Sequence, residues 1–429
     1  MNKLLVADHK GKIFEMPRLE AVGMKAGVFF LLKARDLIRL PIGSEIFHLP
    51  GRMTVAYDPS TKSFVRDEDH LAVAAFLPPG YTVTYNSAYS EAGRPKALPL
   101  FAYAACTVHD GDIYAAAVRV DRSLCHDPCF MNMKIVRRGA ARLQKIFPKN
   151  RLVKHLERCA LCYGCPNARN FFLGRFEAPL PTSPACNAQC AGCISYQPKK
   201  RCPVTQPRIK FIPTPGEIAQ IALYHIGNVK EPIVSFGQGC EGEPLLSAGV
   251  IEKAVRLIRR CSSKGAINMN TNASRTDAIA RLFDSGLDSI RVSLNSAREE
   301  YYTKYYKPKD YSFSDILKSI KEAKKRNGFV SLNYLTMPGF TDSLDEICAF
   351  KKLVEKSRID MIQWRNLNYD PLRYFEELKI SVKAEDMFGV KEMIGSLKKE
   401  FPKLKMGYFN KYSEVMTDSK DEGPYSRRV

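Results

Sequence analysis

Three cysteines, Cys186, Cys190 and Cys193, stand at C-x3-C-x2-C spacing in the segment Pro184–Cys193. Three thiolates can hold three irons of a [4Fe–4S] cube, where four would close it, so this spacing leaves one iron open to a further ligand. A zinc site ordinarily asks for four ligands and paired C-x2-C spacing, which the segment lacks. A second trio, Cys159, Cys162 and Cys165, lies upstream at C-x2-C-x2-C spacing, the opening of a ferredoxin-type run.

The whole chain has 429 residues, 13 of them cysteine, and a formal net charge of +21. That length suits two or three domains with a large core. Met1–Asp8 has too short an apolar run for a signal peptide, and no stretch approaches a membrane span, so a cytoplasmic protein without a membrane partner is expected. In that compartment clustered cysteines bind metal more readily than they form disulfides. The charge favours an anionic partner such as nucleic acid, an acidic substrate or an acidic protein, although a generally basic proteome explains it equally well.

The elements that must position the cysteines change character along the chain. Residues 1–130 read as a β-rich domain. Met53–Tyr57, a turn at Asp58–Thr61 and Ser63–Val65 form a hairpin signal, and Tyr81–Tyr85 and Asp112–Val120 are further strands. Residues 131–172 read as a basic, cysteine-rich bridge. Between Lys134 and Lys154 there are eight Lys or Arg and no acidic residue, while Val136, Ala140, Leu143 and Phe147 recur at helical spacing. One amphipathic helix with a cationic outer face is predicted, facing either solvent or an anion. Residues 173–410 alternate strands and helices, which implies a parallel sheet covered by helices. Thr214-Pro215-Gly216-Glu217 is a capping box with proline at the first helical position. Strands are predicted at Phe176–Pro181, Pro232–Phe236, Ala266–Asn270, Ser289–Leu294, Phe329–Leu335 and Asp360–Arg365, six β/α units in all. The fold class is therefore α/β, a partial (β/α)6 TIM-type barrel with an N-terminal β-rich domain, and residues 411–429 form a polar tail. In such a barrel the chemistry sits where strands end, and Cys186, Cys190 and Cys193 follow the first strand.

In this setting the residues resemble the radical S-adenosylmethionine (SAM) superfamily over roughly Arg175 to Tyr369. The second strand is followed by FGQGCEGEPLL, whose Gly242-Glu243-Pro244 resembles the motif that holds the SAM amino group. The third ends in NTNAS, with Thr271 and Asn272. The fourth is SIRVSLNS, with Ser293 and Asn295, similar to the strand whose polar residues bind the SAM ribose. The resemblance implies a radical SAM enzyme in which a [4Fe–4S] cluster chelates SAM and, on reduction by a donor such as ferredoxin or flavodoxin, cleaves it to a 5′-deoxyadenosyl radical that abstracts hydrogen from substrate. The family commonly has an aromatic residue before the third cysteine. Gly192 stands there in this chain, and Tyr196 is the candidate for the adenine contact.

The resemblance also implies a second [4Fe–4S] cluster on Cys159, Cys162 and Cys165, with Cys125 or Cys129 as fourth ligand and Cys106 or Cys202 behind them; zinc is the alternative. Because the trio precedes the first strand, it is expected toward the opposite end of the barrel, a position suited to electron relay. Cys240, inside GQGCEGEP, is a candidate catalytic hydrogen donor, a cluster ligand or a packed thiol. The substrate is unknown: a peptide, a protein or a small metabolite is favoured, and an anionic one suits the charge. The alternatives are RNA modification and a non-catalytic iron–sulfur or zinc protein that binds nucleic acid.

Overall fold

The computed structural model describes residues 2–91, 93–198 and 202–415. The expected polar tail falls almost entirely outside them. The N-terminal region is an antiparallel sheet of eleven strands among the described residues, dominated by two long partners, Glu45–Asp58 and Ser63–Phe76. Tyr57 pairs with Phe64 and Asp58 with Ser63, so the turn falls where the hairpin signal places it. Alternating burial along Ser63–Phe76 gives way to an unbroken buried run at Leu71–Ala75. There the sheet is covered on both faces.

The bridge folds as three helices, α1 (Met133–Ile146), α2 (Arg151–Leu161) and α3 (Pro166–Leu173). The single helix expected over Lys134–Lys154 is instead two. Pro148 has no N–H to continue the ladder, and Asn150 caps the next helix by accepting from the Leu152 N–H (2.9 Å). Val136, Ala140 and Leu143 are buried as their spacing predicts, and Lys134, Arg137, Arg138 and Arg142 are exposed.

The third region is a parallel sheet in strand order along the chain: Glu177–Pro179, Ile233–Phe236, Ala266–Thr271, Ser289–Leu294, Phe329–Thr336, Met361–Asn366 and Lys405–Gly407. Helices cover its outer face, making a partial barrel. Six strands match the expected ones; the seventh, three residues long, carries too little periodicity to be read from sequence. Residues alternate between the helix layer and the interior. Ile290, Val292 and Leu294 are fully buried under helices, whereas Arg291 and Ser293 face the other way and are half-buried.

The antiparallel sheet is locked onto the ends of the barrel strands. Arg52, 0% exposed, pairs with Asp370 (2.6 Å) and Glu91 (3.0 Å), and the Tyr89 hydroxyl donates to the other Asp370 oxygen (2.8 Å). The Val83 N–H donates to Asn366 Oδ1 (2.9 Å), and Asn366 Nδ2 donates to the Tyr81 carbonyl (3.0 Å). No helix among the described residues is long and apolar enough to cross a membrane.

Candidate functional site

The loop after the first barrel strand carries Cys186, Cys190 and Cys193, and the loop after the second is bonded along it. The Gly242 N–H donates to the Ser183 carbonyl (2.7 Å) and the Glu243 N–H to the Ala185 carbonyl (2.8 Å). A side chain at position 242 would put its Cβ 1.9 Å from that Ala185 oxygen, so only glycine allows the approach. Glu241, a neighbour that sequence reading passed over, ties the same loops from below. Its carboxylate accepts from the Thr182, Ser183 and Gln238 N–H groups (2.7, 2.9 and 2.7 Å). Burial pushes its pKa up to about 7.

Glu243 reaches the end of the third strand. It accepts from the Thr271 hydroxyl, from the Asn272 N–H (2.8 Å) and from the Leu245 N–H (3.1 Å). Burial raises it to about 7 against those donors. Pro244 opens a short 3-10 turn behind it. Asn272 donates to Asn187 (2.9 Å), the residue after Cys186, and Asn187 donates to Ser274 (3.0 Å). The motif residues of three separate loops therefore converge around the cysteines.

The three thiols share one loop and feel one another's charge. Burial drives Cys186 and Cys190 up, and each feels the charge of Cys193. Arg208 reaches Cys193 Sγ at 3.7 Å and bonds Ser195 (3.1 Å). Such a set, bordered by a cation, fits a cluster held by three thiolates. Gly192 is forced by packing: a Cβ there would meet the Tyr305 hydroxyl at 2.7 Å and the Asn368 carbonyl at 3.1 Å. Tyr305 thus fills the space beside the loop. Tyr196 is 49% exposed, with the Arg208 guanidinium 5.1 Å from its ring.

On the fourth strand, Ser293 accepts from Asn333 (3.3 Å). Asn295 is fully buried and donates to Tyr374 (3.1 Å), while its Oδ1 has no partner. That orphaned acceptor at a strand end is suited to a ligand hydroxyl or ammonium.

Beside Gly192 and Ile194 opens a cavity of about 280 Å³, lined further by Arg291, Asn333, Arg365 and Tyr408. Phe76, Leu77 and Pro79 of the antiparallel sheet form part of its wall. Arg291 donates to Gln363 (2.7 Å), Arg365 lies over the Tyr408 ring (3.9 Å), and the Nε of each guanidinium is buried without a partner. Burial, reinforced by Arg365, pushes the Arg291 pKa down. Both arginines escaped the sequence reading; the available signal was a cation at an interior-facing position of a buried strand.

The upstream cysteines separate. Cys159 is buried on α2, and its Sγ, the Cys240 Sγ and the His155 Nε2 all lie within 4.8 Å of one another. Their hydrogen bond holds the Cys159 thiol down and drives Cys240 up. Cys165 follows on the turn after α2, and its N–H donates to the Cys159 carbonyl (3.0 Å), while its thiol stands outside the group of Cys159, Cys240 and His155. Cys162 is exposed at the end of α2. Cys129 is exposed on a turn capped by Asp127, and the Cys125 carbonyl accepts from Asn170 (2.8 Å). Cys106 is buried in the antiparallel sheet opposite Ala115. The structure brings Cys240 and His155 to Cys159, and places Cys125 and Cys129 on a different loop. The expectation that this trio lies at the far end of the barrel is also corrected. Helices α1–α3 fold back along the barrel, and Cys240 belongs to the loop at the strands' carboxyl ends, beside the Gly242–Pro244 motif.

Residues 180–350 match the family model of the radical SAM superfamily. An uncharacterized protein of Methanocaldococcus jannaschii is 33% identical over 102 residues, 24% of this chain and 35% of that protein. The chain thus spans about a third of the length of that curated relative. Similar solved structures include native anSMEcpe with bound AdoMet, at TM-score 0.39 and 13% identity, covering 53% of this chain and 62% of that one. Streptococcus suis SuiB bound to its precursor peptide SuiA has TM-score 0.39 and 14% identity, covering 62% of each chain.

Proposed function

We propose, for a chain whose residues 180–350 form a radical SAM domain, that it cleaves SAM reductively at a [4Fe–4S] cluster on Cys186, Cys190 and Cys193 and abstracts hydrogen from a small anionic substrate. The observation that carries this reading is the convergence of the three-thiol loop with Gly242–Pro244 and Thr271–Asn272 at the ends of consecutive barrel strands. When bound, the cluster and SAM would supply the hard chemistry: one electron from the donor, delivered through the cluster, would break the sulfonium C–S bond to give methionine and a 5′-deoxyadenosyl radical.

The chain's own residues bind, orient and exclude water. In this reading the Glu243 carboxylate accepts from the SAM ammonium, supported by Gly242, which lets that part of the loop lie against the cysteines. Ser293 and Asn295 serve the ribose side, a role that the unpartnered Asn295 Oδ1 supports. Tyr305, packed against Gly192, supports the loop where the family's aromatic residue would stand. Arg291 and Arg365 supply two cations to the adjoining cavity, where an anion would satisfy their free Nε–H groups. Phe76, Leu77 and Pro79 give one side of the cavity an apolar wall, which limits water beside a radical there. A second metal centre beside the SAM loop, to which the bridge contributes Cys159 and Cys165, is part of this reading. The electron donor is an acidic redox carrier such as ferredoxin or flavodoxin, for which a chain of net charge +21 is suited.

Two measurements test the proposal. Anaerobically reconstituted protein with dithionite and SAM should release 5′-deoxyadenosine, and replacing Cys186, Cys190 and Cys193 together by Ala should abolish it. Release by the triple variant would sink the assignment. With a fully deuterated pool of small acidic metabolites, deuterium should appear in the 5′-deoxyadenosine of the wild type. Arg291→Gln/Arg365→Gln should keep slow uncoupled cleavage and lose the label; label retained in that variant would remove the anion-binding role.

A further inference from the structure

We propose that His155, Cys159 and Cys240 bind a single zinc ion that ties the cysteine-rich bridge to the loop carrying Gly242–Pro244. The inference stands apart from SAM chemistry, because it rests on a different set of ligands.

The distances decide between one ion and an iron–sulfur cube. His155 Nε2 lies 3.3 Å from Cys240 Sγ and 3.5 Å from Cys159 Sγ, and all three atoms fall within 4.8 Å of one another. Around a tetrahedral zinc with Zn–S and Zn–N bonds of about 2.3 and 2.05 Å, nitrogen and sulfur ligands stand about 3.5 Å apart and two sulfurs about 3.8 Å. A cube puts each ligand on a different iron, so its ligand atoms are spread by the width of the cube plus two bonds. Three ligand atoms this close share one metal.

The donor set points the same way. One imidazole with thiolates is a zinc set, and zinc tolerates a closed tetrahedron. His155 and Cys159 are four residues apart on α2, so they share a helix face, and Cys240 meets them from the barrel. Cys159 is 1% and Cys240 3% exposed, a dry position for a charge-neutralising ion. The fourth position falls outside this trio; Cys165, on the turn after α2 with its N–H donating to the Cys159 carbonyl (3.0 Å), is the candidate for it. Cys162 is exposed at the end of α2 and takes no part in this zinc site.

The ion has a mechanical consequence. Cys240 is two residues before Gly242, so holding Cys240 to α2 fixes the loop that must lie within hydrogen-bond reach of the SAM cysteines.

Metal analysis of full-length protein purified anaerobically tests this. About one zinc per chain is expected beside the roughly four irons of the SAM cube. Cys240→Ser and His155→Gln should each lose the zinc and keep that iron, whereas Cys186→Ala/Cys190→Ala/Cys193→Ala should keep the zinc and lose the iron. X-ray absorption at the zinc edge of the unaltered protein should give a mixed sulfur and nitrogen shell, a readout that needs no variant to fold. About eight irons without zinc in the wild type, or zinc that survives both Cys240→Ser and His155→Gln, would overturn the proposal.

Discussion

At the scale of single residues, Gly242 and Glu243 carry the sharpest consequences. A methyl at 242 meets the Ala185 backbone oxygen at 1.9 Å, and backbone cannot swing aside as a side chain would. Gly242→Ala should therefore push the Glu243 loop off the cysteine loop and lower 5′-deoxyadenosine release at least tenfold, with iron content kept. Glu243 makes a pH prediction. Burial raises its carboxyl from 4.5 to about 7, so between those values the folded protein holds a proton there that a free carboxyl has lost. An ammonium ligand favours the charged form. SAM affinity should rise with pH up to about 7 and level off above it, and Glu243→Gln should bind weakly with no such slope. A flat wild-type profile in equilibrium binding would remove Glu243 from the ammonium site. The neighbouring Glu241 shows why both carboxyls were hard to rank by sequence: each is a buried glutamate beside a glycine, and only its partners tell a loop clamp from a ligand group.

Helix junctions carry the next level. Thr214 and Glu217 cap their helix reciprocally, as their spacing predicts, but Glu217 has a second task. Arg151, the first residue of α2, donates to it from Nε (2.9 Å), Nη2 (2.7 Å) and its backbone N–H (2.9 Å). The Arg151 hydrogen bonds hold the Glu217 carboxyl down to about 2. A depressed carboxyl stabilises the fold above its unfolded pKa of 4.5 and loses that contribution as the pH falls toward 2. With Arg151 half exposed, solvent screening limits the pair to about 1 kcal/mol. Glu217→Gln should cost about that much at pH 7 and progressively less from pH 4.5 down to about 2, measured by denaturant unfolding of the apoprotein. A loss that persists unchanged in acid would assign it to the cap alone.

For the whole molecule, the antiparallel sheet supplies part of the cavity wall, and Arg52 is the pin that seats it. The guanidinium is fully buried between Asp370 of the barrel and Glu91 of the sheet. Arg52→Met would leave buried Asp370 with only the Tyr89 hydroxyl and the more distant Arg373 (3.7 Å), at a cost of about 3 kcal/mol. Lower thermal stability and early proteolysis between the sheet and the barrel are expected. The double variant Arg52→Met/Asp370→Leu should recover part of the loss, because the pair is removed together. If the single variant melts like the wild type, the pin contributes nothing.

Local chemistry was legible in the chain itself. The alternation of strands and helices after residue 176, the hairpin turn between Tyr57 and Ser63, the capping box at Thr214 and the open three-cysteine loop all depend on spacing within a few residues, which a sequence displays directly. Distances across the fold were not. Cys240 stands 81 positions from Cys159, yet their thiols share one cluster with His155, and Arg291 meets Arg365 only because two interior-facing strand positions border the same cavity. Spacing cannot say which way α2 returns along the barrel, since that follows from burying Leu152, Val153 and Leu156 against the barrel's helices. Spacing alone marked Cys186, Cys190 and Cys193 as the candidate groups of the first loop; tertiary packing decided which distant groups stand beside them.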